Sequence, residues 1–314
     1  MSMSVTTGDV PKNLYADVGR TFVSVQTARL GDVDALSSFL GTVRTVGGRF
    51  ASVDSAEDHL DLEPSRSLTM ITVVEGSAEV SADDAEPLLA PRRAVALARA
   101  GRRIRVRPGQ DDSTTSVLVS RLSLHRHRSS HVLDTLPDVT VVPDEGLPCP
   151  ILDVVLAEWE HDQPGGQLVL ERASEVLLLI TLREWYTQWA PEPPAWFVAA
   201  GDPVLAPVLR AIHAEPRLPW TVASLAARVP TSRATLAARF RAVLGETPIA
   251  YLSRWRMHVA ADLLAETDLP VVDVARAVGY TSPFAFSEAF TRAFGVRPST
   301  ARGERSDQDE ATSA

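Results

Sequence analysis

The residues best suited to chemistry in this 314-residue chain form a repeated set near its C-terminal end. Ser232, Phe240, Gly245 and Pro248 recur fifty positions later as Ser282, Phe290, Gly295 and Pro298. Upstream of each serine, Leu225-Ala226-Ala227-Arg228-Val229 corresponds to Val274-Ala275-Arg276-Ala277-Val278. Each copy reads as a short helix, a tight turn, a serine-capped second helix and a glycine stop. The small Ala226 and Ala275 allow the paired helices to cross closely. That layout is a helix-turn-helix, whose second helix fits the major groove of duplex DNA. Arg233, Arg239, Arg241 and Arg292 put positive charge on the second helices, where phosphates would take it. The chemistry expected is recognition of a polyanion, and no nucleophile-plus-base set or glycine-rich phosphate loop stands in residues 1–190.

Six helices and a last turn position these residues. Asp202-Pro203 opens the first, as N-cap and first-turn proline. Thr221 caps the next, which ends by Val229, and Ser232 caps the third, closed by Gly245. Thr247-Pro248 opens a long fourth helix with Leu252, Trp255, Val259 and Leu263 on one face. Val271–Val278 makes the fifth, stopped by Gly279; Ser282-Pro283 opens the sixth, stopped by Gly295, and Pro298 starts a short turn. Two such motifs joined by one long helix could address successive major-groove faces. A purely structural helical domain would share Phe240, Phe290, Leu252 and Trp255 as core residues, but would not need capped, basic second helices.

From Trp220 to Arg302 the chain resembles the double helix-turn-helix domain of the AraC/XylS family of transcription regulators. The resemblance rests on Leu225–Val229, Arg239-Phe240-Arg241, Leu244-Gly245, Pro248, Tyr251-Leu252, Trp255-Arg256-Met257, Ala260–Leu264, Val278-Gly279-Tyr280, Phe286-Ser287, Ala289-Phe290 and Phe294–Pro298. It implies DNA-contacting positions at Ser232, Arg233, Ala234, Thr235, Ala238, Arg239 and Arg241 in the first motif. In the second motif it implies Ser282, Pro283, Phe284, Ser287, Glu288 and Arg292. Ala234, Ala237 and Ala238 offer only methyl groups, and Glu288 stands where the family commonly has Arg. Alanines and Phe284 can touch thymine methyls and Glu288 can accept from cytosine, whereas bidentate guanine readout is missing. Binding with a strong salt dependence, and specificity drawn from thymine methyls and DNA shape, is the expectation. Pro230, where the first turn often has Gly, sets a different loop geometry.

The first two-thirds resemble, more weakly, the cupin-type regulatory domain often fused ahead of such motifs. Thr21–Val25, Ser67–Val74, Ala78–Val80, Arg103–Arg107 and Thr115–Val119 read as short β-branched strands, with a helix near Asp32–Val43. Many short strands with turns such as Glu75-Gly76-Ser77 suggest a barrel or sandwich. After Pro150 the period changes to three and four, giving two amphipathic helices separated by Gln163-Pro164-Gly165-Gly166. Val155, Trp159, Val176, Leu177 and Ile180 are read as a stripe available for a homodimer. Pro191-Glu192-Pro193-Pro194 reads as a linker. The fold class is therefore α+β in two domains: an N-terminal cupin-like β-barrel with a helical connector, and an all-α C-terminal domain of seven helices. The boundaries are 1–149 for the regulatory domain, 150–195 for the connector, and 202–304 for the DNA-binding domain. The two motifs lie at about 222–244 and 271–294, and 305–314 is an acidic disordered tail.

Charge supports that division. The chain carries −9 overall, yet from Trp220 to Arg305 eleven arginines face seven acids, a net of +4. The tail holds Asp307, Asp309 and Glu310, which leaves −10 for residues 1–219. An acidic body joined to a basic block is expected when one domain meets phosphates. Lys12 is the only lysine, so abundant Arg by itself is as well explained by genome composition. No apolar run approaches the roughly 20 residues of a bilayer span, and Met1–Val10 lacks the pattern of a signal peptide. A cytoplasmic protein without a membrane partner is expected. Cys149, the single cysteine, supplies neither a disulfide nor a thiolate site.

Two further groups of side chains have types that could do chemistry. On a strand, His125 and His127 of His125-x-His127-x-x-x-His131 would share a face and could reach one metal. That reading gives the competing function, a metal-dependent cupin enzyme with an appended helix-turn-helix domain. Arg126 and Arg128 disfavour a cation there, and surface histidines at a strand end are the plainer reading, so no metal, cofactor or catalytic residue is assigned. Arg92, Arg93, Arg99, Arg102, Arg103, Arg105 and Arg107 are either an anion-binding mouth or, the favoured reading, a solvated Arg-rich hairpin. The effector site is left unassigned, with a small-molecule effector expected only from the resemblance.

Overall fold

The computed structural model describes residues 35–302 apart from 41–42, 56–57, 111, 113, 126, 146–148 and 162–163. The strand expected at Thr21–Val25 and the tail 305–314 lie outside the described residues. A short helix α1 (Ala35–Leu40) precedes nine strands: β1 (Arg44–Val53), β2 (Leu60–Leu62), β3 (Leu68–Glu75), β4 (Ala78–Ala82), β5 (Leu88–Ala90), β6 (Val95–Ala98), β7 (Ile104–Pro108), β8 (Thr115–Ser123) and, after helix α2 (Ser130–Leu133), β9 (Val139–Val142). They form a five-stranded sheet ordered β1-β8-β3-β6-β9 and a four-stranded sheet ordered β2-β7-β4-β5. Every pairing is antiparallel.

Alternation along the central strands explains how this half is built. Ile71, Val73, Val117 and Val119 point into the space between the sheets, where they meet Val80, Ile104 and Val106. Their neighbours Leu68, Met70, Val74, Leu118 and Leu122 point the other way and are covered by helices. Strands β3 and β8 are thus buried on both faces, which is why they read as apolar runs rather than as clean alternation.

The covering helices are α3 (Pro150–Glu160) and α4 (Gly166–Glu184), the latter running into a π-helical turn at Trp185–Trp189. This corrects the dimer stripe. Val155 packs with Val74, Leu118 and Leu170, and Leu177 with Leu178 and Leu182, both inside the chain's own core. Trp159 lies against Phe50, ring centroids 4.9 Å apart, Ile180 is half-buried, and Val176 alone of the five is exposed. An amphipathic period tells that a face is covered, not by what.

Residues 191–194 are non-helical, as their prolines require, yet packing does not break there. Helix α5 (Ala195–Gly201) buries Trp196, whose ring meets Tyr186 edge-on at 5.3 Å. One apolar cluster runs from Leu40 and Met70 through Leu177, Trp196 and Leu205 to Phe240, Leu252 and Trp255. The remaining helices are α6 (Leu205–Ala214), α7 (Val222–Ala226), α8 (Arg233–Leu244), α9 (Pro248–Glu266), α10 (Val271–Ala277) and α11 (Pro283–Phe294), with a last helical turn over 298–302. Asp202 caps as expected, accepting from the backbone of Val204 (2.8 Å) and Leu205 (3.0 Å), but helix α6 begins at Leu205. Among the described residues no single helix is long and apolar enough to cross a membrane.

Candidate nucleic-acid interface

Two helix pairs, α7–α8 and α10–α11, hang on the long helix α9. Each second helix starts at a serine whose side chain accepts one of the backbone N–H groups that the first turn leaves without a partner: Ser232 from Thr235 (3.1 Å) and Ser282 from Ala285 (3.3 Å). Each stops at a left-handed glycine, Gly245 (φ 75°) and Gly295 (φ 74°). Leu236 and Phe240 bury one face of α8, Phe286 and Phe290 one face of α11. The small residues behave as their size suggests: Ala226 and Ala275 are buried at the helix crossings.

The opposite face of each second helix is open. On α8 it presents Arg233, Ala234, Thr235, Ala238, Arg239 and Arg241; on α11 it presents Pro283, Phe284, Glu288 and Arg292, with Ser232 and Ser282 exposed at the caps and Ser287 half-buried. Phe284 is 72% exposed, the most exposed large apolar side chain among the described residues. Beside it lies a groove of about 680 Å³ lined by Ser287, Glu288, Thr291, Arg292 and Arg297. Among the described residues, Arg233, Arg241, Arg292 and Arg297 have no carboxylate partner. Arg239 does: its Nε donates to Asp202 at 2.8 Å, and this interaction helps hold the Asp202 carboxyl below its usual range against the opposing effect of burial. Its charge is therefore shared with the start of the domain. The Ser287 hydroxyl donates back to the Pro283 carbonyl (2.9 Å), leaving it as an acceptor.

Comparison with known proteins agrees with this geometry. The helix-turn-helix domain family model matches residues 225–304, and a cupin family model matches residues 34–187. A Streptomyces antibioticus protein named as an AraC-like transcription regulator is 37% identical over 198 residues, covering 61% of this chain and 64% of that protein. The RCS-specific HTH-type transcriptional activator RclR of Escherichia coli is 30% identical over 200 residues, covering 60% of this chain and 68% of the activator. The chain belongs to the AraC/XylS family. It spans less than two-thirds of the Streptomyces relative's length. Among solved structures, the DNA-binding domain of AdpA in complex with a target DNA is 32% identical, covers 34% of this chain and 96% of that domain, and has a TM-score of 0.32.

This AraC/XylS member thus joins a cupin domain of sheets to a helical helix-turn-helix domain, and the cupin match extends through α3 and α4. The other candidate groups sort themselves by their partners. His125 and His127 are not on a strand: β8 ends at Ser123, and both side chains turn to α9, His125 to Glu266 and His127 to Asp262 (3.2 Å). Among the described residues no group of three or more His, Cys, Asp or Glu is placed to hold a metal ion, and the side chain of His131 lies outside the description. The Arg-rich hairpin is an ion-pair ladder: Arg93 with Asp144 (2.6 Å) and Asp153 (2.7 Å), Arg99 with Asp138, Arg102 with Asp83 and Asp138, Arg103 with Glu63, Arg105 with Asp61. An anion would have to compete with these carboxylates, which argues against a mouth.

Sequence reading missed Thr291, Arg297 and Asp262. The first follows from helical spacing, since Thr291 continues the face begun by Phe284 and Glu288, whereas Arg297 lies past the Gly295 stop, beyond the reach of that spacing. Asp262 carried a signal too: it is a single acid inside the apolar stretch Ala260–Leu264.

Proposed function

We propose that this chain is a sequence-specific DNA-binding transcription regulator controlled by a small molecule in its N-terminal domain. The observation that carries the reading is the pair of capped, glycine-stopped second helices, each with an open face that bears at least one arginine, Arg233 and Arg241 on α8 and Arg292 on α11, without a carboxylate partner among the described residues. Arg233, Arg241, Arg292 and Arg297 would hold phosphates and fix register, while Ala234, Ala238 and Phe284 read thymine methyls. Residues 202–304 make the DNA-binding domain, in which α6 to α11 and the turn at 298–302 are the seven helices. Residues 1–149 make the regulatory domain, a cupin barrel formed by the two sheets, and 150–195 the connector. The protein works in the cytoplasm, needs no cofactor and catalyses no reaction. As a homodimer it would pair through what α3 and α4 leave uncovered, Val154, Leu168, Val169 and Val176. Light scattering that finds only monomer across micromolar concentrations would remove the dimer.

Selection of duplexes from a randomised pool by the full chain, followed by titration of the winners, tests the reading. Arg241→Ala and Arg292→Ala should weaken all duplexes alike and each lower the salt slope by about 1. Phe284→Ala should lose about 1–2 kcal/mol on the selected duplex and little on a random one. Equal losses on both would remove the assignment of Phe284 to base reading.

A further inference from the structure

Each helix-turn-helix bends through its own turn, residues 227–230 between α7 and α8 and residues 278–281 between α10 and α11. The two turns are joined to each other by a polar bridge that bypasses both apolar cores. In the first turn the Arg228 guanidinium lies 4.9 Å from the centre of the Trp220 ring. Trp220 in turn fastens the segment that leads into α7: its indole N–H donates to the Glu215 carbonyl (2.9 Å) and its backbone N–H to the Leu218 carbonyl (2.8 Å). Arg256 of α9 takes hold of that same segment, Nε donating to the Pro216 carbonyl (2.7 Å) and Nη2 to the Leu218 carbonyl (2.8 Å). Its guanidinium also lies over Tyr280 in the second turn, 5.9 Å from the ring centre. Gly279 completes the bridge. At φ +85° and without a Cβ, it leaves room that a side chain would fill: that atom would stand 2.6 Å from the Arg217 carbonyl oxygen and 2.9 Å from Arg256 Nη2.

Arg256 is half-buried and has no carboxylate partner among the described residues. A planar guanidinium whose donors go to backbone carbonyls fixes a geometry, because its fork fits them from few directions. The two motifs otherwise use different halves of α9: Leu252 and Trp255 belong to the first core, Met257, Ala260 and Leu264 to the second. The continuous helix sets how far apart the motifs lie, and the bridge restrains the rotation of one against the other. Spacing matters here because Ala234, Ala237 and Ala238 bring only methyl groups to base reading, which discriminate less than bidentate hydrogen bonds. One base pair more between two half-sites moves the second by about 3.4 Å and turns it by roughly 35°. Hydrogen bonds fade within about 0.5 Å of their normal length, so the bridge cannot follow that displacement and must open.

We propose that Arg256 is a specificity-determining residue: by locking turn to turn it confines the chain to one spacing and phase of its two half-sites. A duplex is then recognised by where its two short elements stand as much as by which bases they hold. The proposal rests on the DNA-binding reading and names a residue of its specificity that touches no base. Arg256 acts through position, and its removal frees a rotation without removing a contact to the duplex.

The full chain tests this on duplexes that carry the selected half-sites at the selected spacing, or one base pair longer or shorter. Each variant is compared with itself on two duplexes, so a loss of folded protein cancels from the ratio. The wild type should favour the selected spacing about tenfold or more, the cost of opening two hydrogen bonds from a charged donor. Arg256→Met keeps the apolar stem and removes the donors; it should narrow the preference to less than about threefold and leave the salt slope as it was. Gly279→Ala, which displaces the Arg217 carbonyl and Arg256 from the other side, should narrow it too and replaces Arg256→Met if the latter fails to fold. Spin labels on Ala234→Cys and Ala285→Cys, in a Cys149→Ser chain, read the distance between α8 and α11 without DNA. That distribution should be narrow with Arg256 in place and broader in Arg256→Met. A wild type indifferent to spacing, a preference undiminished in the bridge variant, a lowered salt slope that makes Arg256 a phosphate contact, or an unchanged distance distribution overturns the proposal. If no duplex is bound yet the distribution broadens, the DNA-binding reading fails and the bridge stands.

Discussion

The two helix-turn-helix units share their punctuation and differ in what holds them. In the first, Leu236, Phe240, Tyr251 and Trp255 belong to one apolar cluster with Leu177, Trp196 and Leu205, so the unit is an extension of the body's core. The second has its own small core and reaches the body through polar ties, chiefly Asp262 with His127 and Arg128. It is joined to the first through α9 and through Arg256, which donates to the carbonyls of Pro216 (2.7 Å) and Leu218 (2.8 Å). Their turns differ as well. The second passes through Gly279 at φ +85°, where an added Cβ would meet the Arg217 carbonyl oxygen at 2.6 Å. The first has Pro230 in its turn and no positive-φ residue there. A repeat in sequence therefore need not be a repeat in mechanics: apolar anchoring is not easily reversed, while polar ties are open to change by charge.

Core truncation should expose this contrast most strongly. Phe240→Ala and Phe290→Ala each remove a fully buried ring and should each cost about 3–5 kcal/mol. Phe240→Ala should lower the whole chain's calorimetric transition. Phe290→Ala should instead split off an early transition for residues 257–302, and a single shared transition in both variants would contradict the separate anchoring.

Acid should act on the second unit next. His258 on α9 is pushed down to about 4 by burial, with help from the Arg254 charge. Between pH 6.5 and 4 the unfolded chain takes up a proton that folded His258 refuses, so stability falls as pH drops through that window, by about 3 kcal/mol. Asp262 is held below its usual range by His127 and Arg128 against the opposing pull of burial, so its contribution is present above about pH 4 and is lost on further acidification. Stability and exchange of the second unit measured from pH 7 to 3 check this; His258→Gln should flatten the curve above pH 4.

Gly279→Ala should cost about 2 kcal/mol or more, strain at positive φ adding to the contact with Arg217. Gly245→Ala, whose Cβ would enter open space, should cost only the conformational part, about 1 kcal/mol. Denaturant titration that found the two alike would remove the close approach as the reason for glycine. The smallest effects sit where the units agree: Ser232→Ala and Ser282→Ala should each lose about 1 kcal/mol, with no difference between them beyond experimental spread.

Local signals were legible and distant ones were not. Helix boundaries from Thr221 to Gly295 follow from caps, prolines and glycines, each of which acts within a turn of itself. Strands β3, β4, β7 and β8 announce themselves by β-branched residues. Strand β6, Val95-Ala96-Leu97-Ala98, is alanine-rich and fully buried, and β1 carries Gly47-Gly48, so neither has the composition of a strand. Of the interface, the second helices and their exposed faces could be read from spacing. The pairing of Arg239 with Asp202, and of His127 and Arg128 with Asp262, spans 37 and about 135 positions and leaves no local trace. Val155 and Leu177 show the converse, a pattern that correctly marks a covered face whose cover lies within the same chain.

The most direct test of the central claim is the affinity of the full chain for its selected duplex as a function of salt. Arg233, Arg241, Arg292 and Arg297, the interface arginines without a carboxylate partner among the described residues, predict a fall in log K with log salt of slope about −3 to −4 per protomer. A slope near zero, or no binding at roughly 50 mM salt, would contradict an interface built on those two helices.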